Sequence, residues 1–144
     1  MKTALSVLAL CFFAAEREPQ NGKKDLDAMQ GTWAMVALEV DGKPVPDEKI
    51  KDTTLVVKGD KYITKVKGKE YETIITLDPG KKPKAIDMVF TEGDKKDKAL
   101  RGIYEIEGDT LKICRGLRPE QDRPTQFGTW PNTNLFLVTW KKKP

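Results

Sequence analysis

The sequence has no histidine and only two cysteines, Cys11 and Cys114, in 144 residues. The lack of histidine removes Ser-His-Asp and Cys-His catalytic arrangements, the commonest general base, and every histidine metal site. With so few thiols, neither a zinc cluster nor a disulfide framework is available. Carboxylates are plentiful, but many stand in Gly-Asp or Asp-Gly pairs (Asp41, Asp60, Asp94, Asp109), where both residues tolerate the left-handed backbone angles of tight turns. Calcium at "EGDKKDK" is set aside because the neighbouring lysines repel a cation. No nucleophile–base pair stands out, so the expectation is a protein that is not an enzyme, with no catalytic residues, no metal and no cofactor.

Long hydrophobic stretches are also lacking. The apolar run Thr3 to Phe13 spans 11 residues, well short of the about 20 needed for a membrane-spanning helix. With Met1-Lys2 before it and Ala14-Ala15 after it, the run reads as a secretory signal peptide over residues 1–15. Lipid attachment at Cys11 is disfavoured by bulky Leu10. The expected location is therefore periplasmic or extracellular, with Cys114 as the remaining, inert thiol, and with no integral membrane segment after cleavage.

The formal charge is +4, and lysines are spread over turns next to Asp, Glu or Gly. A nucleic-acid binder concentrates its charge on one face, often with aromatic residues between the basic ones; here the lysines resemble soluble turn and edge residues, so no nucleic-acid partner is expected. The one dense basic run, "WKKKP", reads as a solvated C-terminus.

Residues 16–24 read as a polar linker, and 25–144 as one domain. Asp25 to Gln30 is a single helical turn, with Asp25 or Asp27 as a cap. Strands then recur at about the 8–12-residue spacing of all-β domains: Trp33–Val40, Thr53–Lys58, Lys61–Lys67, Glu70–Leu77, Ala85–Thr91, Ala99–Glu107, Thr110–Arg115 and Asn134–Lys141. Both parities of the first are apolar, which predicts a bend or a bulge that swaps faces. Pro46 to Lys51 reads as a short helix or turn closing one end. Short connections between nearly all of the strands predict an eight-stranded antiparallel up-and-down barrel of the size that is either filled by side chains or holds one small ligand.

"GTW" occurs twice, at Gly31-Thr32-Trp33 and at Gly128-Thr129-Trp130. The first opens a strand after a helical turn. The second lies in a long loop and runs into Pro131, which cannot donate a ladder hydrogen bond, so it reads as a chance repeat. Strand parity sends Tyr62, Tyr71, Phe90, Gly102, Tyr104 and Ile106 toward a common lumen, the candidate ligand site. Gly102, without a side chain, marks its roomiest point. Phe127 and Trp130 are candidates for a loop at the barrel mouth.

A Gly-x-Trp opening the first strand of an eight-stranded meander, after a helical turn, resembles the lipocalins and the wider calycin group. More closely, the chain resembles an uncharacterised lipocalin-like domain family of planctomycete bacteria. The stretches that carry the resemblance are "MQGTWAMVALEVDGKPVPDEKI", "LVVKGDKY", "LDPGKKPKAIDMVFTEG", "GIYEIEGDTLKIC" and "RPTQF", which with the last strand span nearly all of the chain beyond the leader. The resemblance implies a barrel whose floor is closed by Trp33, with a basic residue of a late strand packed across it; Arg115 is the candidate for that residue. It implies no agreed activity, substrate or cofactor. Two functions follow as expectations: an exported monomeric module that binds a small, largely apolar ligand in the barrel, or a filled barrel that recognises a protein or another component of the cell envelope.

Overall fold

A computed structural model of the protein describes residues 18–144; the leader expected at residues 1–15 lies outside the described residues. The chain forms helix α1 (Glu18–Met29), strand β1 (Gly31–Val40), a two-residue strand β2 (Lys43–Pro44), helix α2 (Asp47–Ile50), and strands β3 (Thr54–Lys58), β4 (Lys61–Val66), β5 (Lys69–Asp78), β6 (Ala85–Phe90), β7 (Ala99–Glu107), β8 (Thr110–Gly116) and β9 (Leu135–Lys142). Each long strand pairs antiparallel with the next, and β1 pairs with β9, so eight strands close into an up-and-down barrel. The short β2 folds back on the end of β1, outside the circuit. No helix among the described residues is long and apolar enough to cross a membrane.

The expected change of face in β1 is a bulge. Met35 pairs with Trp140 and Ala37 with Thr139, which leaves Val36 without an opposite residue. Trp33 and Met35 are buried before the bulge, Val36 is turned out to 46% exposure, and Leu38 joins the core after it. An extra residue in one strand shifts the side-chain alternation by one, so odd positions face inward before it and even positions after it.

The bulge sits where β1 leaves β3. Only Gly31 to Ala34 pair with β3, while the rest of β1 stays on β9. Residues 45–52 fill the resulting gap, with the Val45 amide donating to the Leu38 carbonyl at 2.8 Å. There α2 begins after Pro46 and buries Ile50. The Asp41-Gly42 turn between β1 and β2 has φ of 51° and 83°, the type I′ geometry that fits the twist of a hairpin. Gly42 is required twice over, because a Cβ there would stand 2.7 Å from Pro131 of the long loop.

Helix α1 corrects the expectation of a linker followed by one turn. It reaches back to Glu18, so Asp25 is an interior residue rather than a cap. Tertiary contacts account for its length, since a short polar helix has little stability alone. Leu26 and Met29 pack into the core, and the Asp25 carboxylate accepts bonds from the Tyr104 hydroxyl at 2.6 Å and the Lys84 ammonium at 3.0 Å. The helix lies over one end of the barrel, against β5 and β7. At its C-terminus, the Trp33 indole donates to the Met29 carbonyl at 2.9 Å, satisfying a group that the helix itself cannot. The Lys142 ammonium donates to the Ala28 carbonyl at 3.3 Å.

Candidate functional site: a cavity at the open end

The core is dense beneath α1 and opens at the opposite end. A cavity of about 340 Å³ lies there between α2 and the inner faces of β1, β4, β5, β8 and β9. Its floor is a pair of aromatic rings. Tyr62 and Trp140 meet edge-on, with centroids 6.5 Å apart, and the Trp140 indole donates to the Tyr62 hydroxyl at 2.9 Å. Met35, Leu38 and Phe136 form one wall, and Thr64, Val66 and Tyr71 the other. Val45, Ile50 and Thr53 roof it, with exposed Lys49 at the rim.

Arg115 is the one charged group inside. It precedes the last residue of β8 and lies opposite Gly102 of β7 and Phe136 of β9. That register turns it into the lumen, where its guanidinium lies 4.0 Å from the centroid of the Phe136 ring. Its Nη1 donates to the neighbouring Gly116 carbonyl at 3.1 Å. No carboxylate among the described residues forms an ion pair with it. Burial pushes its pKa below the usual guanidinium value, with Tyr62 and Cys114 acting the other way. Burial likewise raises the Tyr62 phenol far above its ordinary value, against the pull of Arg115 and the bond from Trp140. The site offers a neutral phenol and, because a guanidinium does not deprotonate in proteins, a cation.

The six lumen candidates separate. Tyr62 and Tyr71 line the cavity, Tyr62 buried on its floor and Tyr71 58% exposed at its rim. Phe90, Gly102, Tyr104 and Ile106 share the inward parity but do not line it. Phe90 and Ile106 pack against the core. Tyr104 is buried, and its hydroxyl is committed to Asp25. Gly102 is a tight point rather than a roomy one: a Cβ there would meet the Cys114 carbonyl at 2.8 Å and the Arg115 Cβ at 2.9 Å. Its missing side chain is what lets the base of Arg115 and the Ile86 methyl approach.

Trp33 is fully buried beneath α1, at the end opposite the cavity. The basic residue across its ring is Lys142, with Nζ 5.3 Å from the centroid, and not Arg115. The reason is position along the barrel: Lys142 pairs with Trp33 directly, whereas Arg115 ends its strand at the far rim. The C-terminal basic run is thus partly a packing element.

Phe127 and Trp130 do not line the mouth either. Their loop is strapped to the outside of the barrel by Arg123, which donates to the carbonyls of Ile86 (3.1 Å) and Gly102 (2.8 Å) and to the Asp87 carboxylate (2.7 Å). The second Gly-Thr-Trp starts no strand, and Trp130 is 44% exposed. Its Thr129 nevertheless has a structural part, accepting from the Gly42 amide at 2.8 Å and donating to Glu39. Among the cavity residues that sequence reasoning did not single out, Phe136 and Trp140 carried a signal in the alternation of "LFLVTW", and Ile50 as the lone apolar residue of a polar segment.

Compared with protein-family models, curated proteins and solved structures, the chain finds no match.

Proposed function

We propose that this protein is an exported, lipocalin-like binding module that holds a small, largely apolar molecule in the open end of its barrel. The observation that carries the reading is the cavity itself. At the open end of the barrel about 340 Å³ is free, at the small end of the range for ligand pockets of roughly 300–1,000 Å³. Its walls are mostly aliphatic and aromatic, with a few polar groups, the usual make-up of a small-molecule site. Against this, a barrel that works only through its outer surface has no use for the space. Membership of the lipocalin-like family rests on the sequence stretches quoted above and on the eight-stranded closure. Export rests on the leader-like pattern of residues 1–15; cleavage after Ala15 would leave all of α1 on the exported chain.

The test is a fluorescence titration with N-phenyl-1-naphthylamine, a neutral apolar dye that brightens out of water. The parent protein is expected to bind it saturably at one site. Thr64→Phe, which fills the cavity from one wall, should weaken binding by about tenfold or more with no loss of thermal stability. A parent protein that leaves the dye dark would remove the ligand-carrier reading.

A further inference from the structure

We propose that the molecule held in this cavity is an anionic amphiphile, with its carboxylate on Arg115 and Tyr62 and its hydrocarbon body toward the mouth. The inference rests on the ligand-carrier reading and adds the chemistry of the head group.

Arg115 carries a charge that no carboxylate among the described residues compensates. A guanidinium presents five N–H donors and accepts nothing. Arg115 spends one nitrogen on the Gly116 carbonyl and its face on Phe136, and makes no other side-chain hydrogen bond among the described residues. Taking a cation even partly out of water is costly, and proteins commonly pair such groups. Arg123 and Lys84, both partly exposed, are paired with Asp87 and Asp25. Arg115, half-buried on the inner face of the barrel, has no anion among the described residues, and its remaining guanidinium nitrogens keep access to the cavity.

The surroundings are consistent with an acceptor coming from outside. None of the residues lining the cavity is acidic, and the only other charged one is Lys49 at the rim. The Tyr62 hydroxyl accepts from Trp140 and donates no hydrogen bond among the described residues, so its proton is free to point into the space. Two donors thus face the cavity with no carboxylate among its lining residues. A carboxylate has only acceptor sites and matches the guanidinium fork with two parallel bonds; the remaining walls are apolar and suit a short alkyl or aryl body. A neutral ligand would leave the cation as it is, and a cationic one would be repelled.

Decanoate and 1-decanol share a chain and differ in the head group. Each is measured by its displacement of N-phenyl-1-naphthylamine and by calorimetry, with the parent protein, Arg115→Met and Arg115→Lys. In the parent, decanoate is expected to bind at least about tenfold more tightly than decanol, the size of effect a charge-assisted hydrogen bond supplies. Arg115→Met should abolish that preference by weakening decanoate while leaving decanol unchanged, and Arg115→Lys should keep part of it. Equal binding of acid and alcohol by the parent overturns the head-group assignment and leaves the apolar cavity as a binding site. That comparison needs no variant to fold. Undiminished decanoate binding by Arg115→Met overturns it as well. Failure of the dye, the acid and the alcohol alike overturns both this inference and the carrier reading.

Discussion

The two ends of the barrel are built from similar residues and finished differently. Under α1, polar groups find protein partners: the Trp33 indole on the Met29 carbonyl, the Tyr104 hydroxyl on Asp25, and the Gln30 amide bonded in both directions to Gly59 at 2.8 Å. At the other end, α2 follows Pro46 with no side-chain cap, β1 parts from β3, and Arg115 has no ion-pair partner among the described residues. The first end spends its polar groups on holding the fold together. The second leaves volume and donors unused, as the proposed carrier reading requires. Under that proposal, local stability and binding fall at opposite ends of one sheet.

The largest expected effect tests the closed end. Trp33→Ala removes a fully buried ring and uncaps a helix carbonyl, so it should cost about 3–5 kcal/mol in denaturant unfolding, as large-to-small core changes do. Trp130→Ala, in the second Gly-Thr-Trp, removes a side chain 44% exposed and should cost about 1 kcal/mol or less. Equal losses would mean that the repeat is a structural device in both places.

An intermediate effect locates the border between the filled and open parts of the lumen. Gly102→Ala places a methyl group against the Cys114 carbonyl and the Arg115 Cβ, and overpacking of this kind costs about 1–3 kcal/mol. Thr64→Phe, a far larger addition, should cost nothing because it enters the cavity. Reversed outcomes, with Gly102→Ala neutral and Thr64→Phe destabilising, would place the free volume on the other side of the barrel.

Strand number, order and closure were legible because turn residues punctuate the chain regularly and alternation marks the buried face. Even the bulge at Val36 showed in the sequence, as apolar residues on both parities of β1. Depth along the barrel was not legible. Parity says that Tyr62, Tyr104 and Arg115 all point inward, but not that Tyr104 ends beneath α1 while Arg115 ends at the open rim. That depends on where each strand starts relative to its neighbours, a property of register across the whole sheet. Gly102 shows the same limit, because an absent side chain reads equally as space or as close approach. The extent of α1 was hidden for a different reason: its residues are polar, and its stability comes from Asp25, Leu26 and Met29 meeting a surface far away in sequence.

The smallest effect belongs to the turn that ties the outer loop to the open end. The Asp41 side chain accepts from the backbone amides of Thr133 and Asn134, both at 2.9 Å. The bond from Asn134 is the main cause that holds its pKa below the ordinary 3.8; the amides of Thr133 and Asn132 and the charge of Lys43 add to it, and burial opposes it. A carboxyl group depressed by folding stabilises the protein above its unfolded pKa, and that contribution disappears as pH falls through the folded value. Asp41→Asn keeps an oxygen acceptor and tolerates the positive φ of 51° at this position, so it removes the charge and little else. The variant should be slightly less stable than the parent, by a constant amount from pH 7 down to about 4, and the difference should close below that. Because the loop lies outside the barrel and contributes nothing to the cavity walls, decanoate affinity should be the same in both proteins. A change in that affinity would show that the Asp41 turn and the Arg115 cavity are coupled, and the division between a strapped outer loop and an independent open end would then fail.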